Sequence, residues 1–100
     1  MPEEQKTEEN NIILVGTKPL MNYVKGVSIK FTKDSSKEVK IKARGKYMNK
    51  AIDIAEIIKK KPLNNEEIKI KEIKTDSIAL KNNEGKNINV STIEIILIQE

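Results

Sequence analysis

The first apolar run of the chain, Ile12-Ile13-Leu14-Val15, is rich in β-branched residues and closed by Gly16. It predicts a short buried strand. Leu20, Val24, Val27 and Phe31 then recur at helical spacing and form one apolar stripe. Thr17 or Lys18 stands at the cap position of that helix, and Pro19 lies in its first turn, where a missing N–H costs little. Asp34-Ser35-Ser36 supplies a turn. From Val39 to Arg44 the period changes to two, with Val39, Ile41 and Ala43 on one face and Lys40, Lys42 and Arg44 on the other. Gly45 ends that strand. A second helix is expected from about Lys46 to Lys60, with Met48, Ala51, Ile52, Ala55 and Ile58 on its core face. Ile54 and Ile57 widen its apolar arc beyond what a single sheet needs to cover it. Lys59-Lys60-Lys61 suit the negative end of the helix dipole, and Pro62 prevents continuation.

The rest of the pattern predicts two long strands. Ile68, Ile70 and then Ile73 slip the alternation by one residue, which places a bulge near Lys71 or Glu72. The strand runs on through Ile78 and Leu80 to a turn at Asn82-Asn83-Glu84-Gly85, and a return strand extends from Asn87 to about Gln99. Its second half, with Ile93 and Ile95 to Ile98, is apolar on both faces. The element order is βαβαββ, an α/β (α+β) two-layer sandwich. A four-stranded mixed sheet carries both helices on one face, and its last two strands form a long hairpin arm. The first two strands should be parallel, joined by a right-handed crossover. One hundred residues hold one domain, here residues 11–100, preceded by an acidic tail at residues 1–10 that is read as flexible.

Charge sharpens this picture. Four glutamates against Lys6 give residues 1–10 a net charge of −3, so the +4 of the whole chain leaves +7 on the body. An unevenly basic protein suggests a polyanionic partner; a highly charged soluble surface gives the same numbers. Cysteine and histidine are both absent, which leaves no disulfide, thiolate nucleophile, Cys/His metal site or imidazole base. Asp34, Asp53 and Asp76 fall on separate elements without the spacing of a carboxylate pair. The reading is therefore not an enzyme, with no cofactor, no metal and no small-molecule substrate. The longest apolar run, Ile95 to Ile98, is too short to span a bilayer, and no signal peptide is visible. A cytoplasmic protein without a membrane partner is expected.

Three segments are candidates for binding. The first, Lys37 to Lys50, holds six cationic residues against Glu38 alone. Lys40, Lys42 and Arg44 are spaced about 7 Å apart along one strand face, near the phosphate repeat of one nucleic-acid strand. A solvated strand face has the same pattern. The second, Gly16-Thr17-Lys18-Pro19, joins a strand to a helix. Backbone N–H groups and a lysine there suit a phosphate, although the spacing is not that of a Walker loop; a plain strand-to-helix turn is the favoured reading of this segment taken alone. The third is the hairpin tip, Lys81 to Asn87, whose amide and amine side chains fit a ribbon entering a groove; an ordinary exposed hairpin is the alternative. Tyr23, Phe31 and Tyr47 fall on predicted helices, which disfavours base stacking on the sheet. Phe31 reads as core, and Tyr23 lies one turn from the Gly16 loop.

Lys18-Pro19-Leu20-Met21-Asn22-Tyr23-Val24, Ile41-Lys42-Ala43-Arg44-Gly45-Lys46 and Val90-Ser91-Thr92-Ile93-Glu94-Ile95 resemble, in order and spacing, the three signature blocks of the Alba family of archaeal DNA/RNA-binding chromatin proteins. The similarity spans about residues 11–98. It implies a homodimer formed through the second helix and the last strands. It also implies sequence-tolerant binding of double-stranded DNA in chromosome organisation or gene regulation, with RNA as the alternative partner and the chromosome as location. By position, the nucleic-acid-binding residues it implies are Lys18, Lys42, Arg44, Lys46 and Lys86, with Tyr23 beside them. Three positions depart from the family. Thr17 replaces the first lysine of a loop pair that is acetylated in relatives, leaving Lys18 as the loop's substitute acetylation site. Pro62 stands where a phenylalanine makes dimer–dimer contacts, and Asn89 stands where the arm often carries an arginine.

Overall fold

The computed structural model describes residues 11–34, 36–61 and 66–99. Their elements are β1 (Ile12–Leu14), α1 (Leu20–Thr32), β2 (Glu38–Arg44), a 3-10 turn (Gly45–Tyr47), α2 (Met48–Lys59), β3 (Ile68–Lys81) and β4 (Asn87–Gln99). The expectations for the acidic tail at residues 1–10, for Ser35 in the turn and for Pro62 lie outside the described residues.

The four strands form one sheet in the order β1-β2-β4-β3. β1 and β2 are parallel, and β4 runs antiparallel to both β2 and β3, so the sheet is mixed as expected. The alternation in β2 is expressed in full: Val39, Ile41 and Ala43 are buried beneath the helices, while Lys40, Lys42 and Arg44 stand on the opposite, open face. Val24, Val27 and Phe31 of α1 and Ala51, Ile54, Ala55 and Ile58 of α2 close over Val39, Ile41, Ile93, Ile95 and Leu97. Each large apolar side chain buried this way contributes about 1.5–3 kcal/mol.

Two helix expectations are corrected. α1 begins at Leu20, with Pro19 as its N-cap in an extended conformation and Thr17 and Lys18 outside the helix. α2 begins at Met48, because Gly45–Tyr47 forms a separate 3-10 turn entered through Gly45 at φ +59°, a left-handed conformation that glycine adopts without steric cost. That phase turns Ile54 into the core at 0% exposure and Ile52 outward at 42%, the reverse of the sequence expectation for Ile52.

The bulge falls where the parity slip put it. The register of β3 against β4 shifts between Ile70 and Glu72, leaving Lys71 as the extra residue. Beyond the rung that joins Arg44, Thr92 and Asp76, β3 and β4 continue as a two-stranded arm from Ser77↔Ser91 to Lys81↔Asn87. Ile78, Leu80, Ile88 and Val90 share one face of this arm. Asn82 Oδ1 accepts the N–H groups of Glu84 and Lys86, and Gly85 at φ +82° completes the tip. The principal extents of the molecule are 49, 35 and 23 Å.

Candidate functional site

The end of β1 lies beside the middle of β2, with Val15 N–H donating to the carbonyl of Lys42 at 2.9 Å. From this junction the chain leaves β1 through Gly16–Lys18 and leaves β2 through Arg44–Lys46. The two loops therefore emerge at the same end of the sheet, although about thirty residues separate them. The structure thus brings Lys18, Tyr23, Arg44 and Lys46 to one end, with Lys42 just behind on the open sheet face.

The Gly16 loop is held from two sides. The Tyr23 hydroxyl oxygen accepts N–H groups from Gly16 at 2.8 Å and Lys18 at 3.2 Å. The Lys50 ammonium donates to the carbonyls of Gly16 at 2.7 Å and Lys18 at 2.8 Å. These two N–H groups are thus turned inward to the tyrosine and are not open to a phosphate. What the loop offers to the outside is the exposed Lys18 side chain. Tyr23 is half-buried, and its hydroxyl points at the loop.

Lys50 also ties the loop to the neighbouring turn. Its Nζ lies 5.7 Å from the centre of the Tyr23 ring and 5.6 Å from that of Tyr47, and Lys46 Nζ lies 5.5 Å from the centre of the same Tyr47 ring. Cations over aromatic faces at these distances are held by the ring quadrupole. Sequence reasoning counted Lys50 only as a charge in the basic stretch and set Tyr47 aside. The signal was present in spacing: Lys46, Tyr47 and Lys50 stand at i, i+1 and i+4, so a helical start brings the first and last together.

On the open sheet face the basic row is not uniform. Lys40 pairs with Glu94 at 3.8 Å, and Glu38 with Lys71 at 3.4 Å. Lys42 lies directly across from Glu94, which lies across from Lys74. This face alternates in charge around a shallow hollow of about 920 Å³ lined by Leu14, Lys42, Arg44, Lys74, Asp76 and Glu94 among others. Three equivalent phosphate contacts along β2 are therefore not what the row offers. Cationic excess concentrates at its Arg44 end. Among the described residues, no carboxylate lies within ion-pair distance of Lys18, Lys42, Arg44, Lys46 or Lys86. Lys86 stands apart at the arm tip, six residues from Thr92, roughly 20 Å along an extended strand.

A βαβαββ sandwich with an unpaired cationic end and a projecting two-stranded arm defines a class of small basic α+β proteins. The Alba family profile matches residues 11–77. DNA/RNA-binding protein Alba of Methanococcus maripaludis is 46% identical over 88 residues, covering 88% of this chain and 97% of that protein. The protein of the same name from Thermoplasma acidophilum is 47% identical over 89 residues, covering 89% and 96%. The solved structure of Alba from Thermoplasma volcanium superposes with a TM-score of 0.78 at 44% identity, covering 88% of this chain and 99% of that one. The chain belongs to the Alba family.

Proposed function

We propose that this chain is a homodimeric architectural protein that binds double-stranded DNA with little sequence preference, in chromosome organisation or gene regulation. The observation that carries the reading is the cluster of unpaired cations, Lys18, Arg44 and Lys46, gathered from two distant loops onto one end of the sheet. Lys42 flanks that cluster, Tyr23 shapes its loop, and Lys86 extends it along the arm. Relatives nearly half identical over almost the whole chain are named DNA/RNA-binding proteins, which supports the same class of partner here. Lysine and arginine side chains without carboxylate partners neutralise phosphates and release counterions, a contact that carries no base information. A two-stranded arm with an amide-rich tip fits a groove. A dimer is supported by the outward Ile52 of α2 and by Leu80 and Ile88 on the arm, 42%, 36% and 40% exposed, since apolar surface of this kind favours association. A chromosomal location follows from this partner.

RNA is the second reading, favoured by the same names. Both partners present a polyphosphate, so titration of one sequence as duplex DNA, duplex RNA and single-stranded RNA at equal salt separates them. Tightest binding to duplex DNA is expected. A preference for either RNA would replace DNA with RNA as the partner, and binding to none would end the reading.

A further inference from the structure

Lys50 lies in the cationic end, yet its geometry differs from that of its neighbours. An ammonium has three donors, and two of them are committed to the carbonyls of Gly16 and Lys18 at 2.7 and 2.8 Å. The rings of Tyr23 and Tyr47 flank it at 5.7 and 5.6 Å, and the hydrogen bond to Gly16 is partly buried. Lys18, Arg44 and Lys46 reach outward by contrast, with no such bonds to the loop backbone. Since Tyr23 accepts the N–H groups of the same two residues, all four backbone polar groups of Gly16 and Lys18 are occupied by just two side chains. One of these, Tyr23, belongs to α1. The other, Lys50, belongs to α2 and lies thirty-two residues beyond Lys18.

We propose that Lys50 is a positioning residue for nucleic-acid binding: it fixes the Gly16–Lys18 backbone against α2, so that Lys18 is presented beside Lys46, and makes no phosphate contact of its own. The inference rests on the functional reading above and deepens it. The physical basis is preorganisation. A loop already held in its binding conformation loses less entropy on association, and the lysine aligns a second cation it does not replace.

A double-mutant cycle on the full chain tests this, with fluorescently labelled duplex DNA as the probe. Lys18→Ala and Lys50→Met should each weaken binding roughly fivefold, about the net worth of one polar contact. The double variant should stay near fivefold, because the two act through one contact, whereas independent contacts would multiply to roughly twenty-five-fold. Against Lys86→Ala at the remote arm tip, Lys50→Met should be additive, which a general loss of structure would not give. Amide exchange at Gly16 and Lys18 should quicken in Lys50→Met without DNA present. Multiplicative effects with Lys18→Ala, or unchanged affinity in Lys50→Met, would overturn the proposal. Should Lys50→Met fail to fold, Lys50→Arg decides: its guanidinium keeps the charge and can donate to both carbonyls, so slow exchange and near-normal affinity are expected together. Normal affinity with the loop amides unprotected would overturn the assignment. If the unaltered chain ignores duplex DNA, the functional reading fails and the binding role of Lys50 with it, while amide exchange at Gly16 and Lys18 still reads separately whether Lys50 holds the loop.

Discussion

Two side chains of opposite hydrogen-bonding character govern the cationic end of the sheet. The Tyr23 oxygen gathers N–H groups and the Lys50 ammonium gathers carbonyls, so the backbone polar groups of Gly16 and Lys18, in the loop between β1 and α1, are satisfied internally. What remains for a partner is charge on long, exposed stems. Replacing Arg44 and Lys46 together by alanine should therefore weaken binding to all duplex sequences about equally. It should also lower the salt slope by roughly 1 for each phosphate no longer neutralised. Competition titrations against several unrelated duplexes would show it, and a sequence-dependent loss would point to base readout. At this scale the sequence revealed the cations but not their ranking. Lys40, Lys42 and Arg44 are equivalent in a strand pattern, and only the pairing of β2 with β4 sets Glu94 beside the first two. Likewise Tyr23 was visible as a residue near the loop. Its hydroxyl acts on the loop because α1 starts at Leu20 and not at Lys18, a boundary that Pro19 leaves ambiguous.

Strands were easier to read than helices, for a physical reason. A period of two admits only two phases, so a single slip between Ile70 and Ile73 narrowed the bulge to Lys71 or Glu72, and the register places it at Lys71. In α2 the isoleucines at 52, 54, 57 and 58 cover so wide an arc that several core faces fit. The choice is made by the 3-10 turn before it, which rotates the helix to bury Ile54 and expose Ile52. Gly45 is the residue on which that phase depends. A Cβ there would meet Val90 at 3.6 Å, an ordinary contact, so the obstacle to substitution is the backbone conformation at φ +59°. Gly45→Ala should cost about 1–2 kcal/mol, measured by urea denaturation. It should also weaken DNA binding by more than the stability loss explains, since Lys46 and Lys50 both follow it. Unchanged stability would mean that the left-handed turn is not needed.

On the scale of the whole molecule, most of the design concerns what lies outside the core. The sheet could end at the Arg44 rung, but β3 and β4 run on into an arm that projects past the other two strands, with Leu80 and Ile88 exposed on one face. Together with Ile52, these positions support assembly into dimers, which would double the number of cationic ends facing one duplex. Ile52→Glu should shift sedimentation from dimer toward monomer mass and weaken DNA binding while far-UV circular dichroism stays that of the folded chain. A full dimer in that variant would move the interface elsewhere. Fold class, mixed sheet and arm were all legible from the order of elements, because each rests on short-range patterning. The parallel pairing of β1 with β2, which sends two loops about thirty residues apart to one end, was legible too; the bonds from Tyr23 and Lys50 that hold the first loop were not, since they depend on how two helices pack beside it.

The central claim is that unpaired cations on a two-fold assembly hold a polyphosphate electrostatically. It is tested most directly by the affinity for one duplex across a salt series. With roughly 4–8 phosphate contacts per dimer, log K should fall against log salt with a slope of about −4 to −7. A slope near zero would contradict the account.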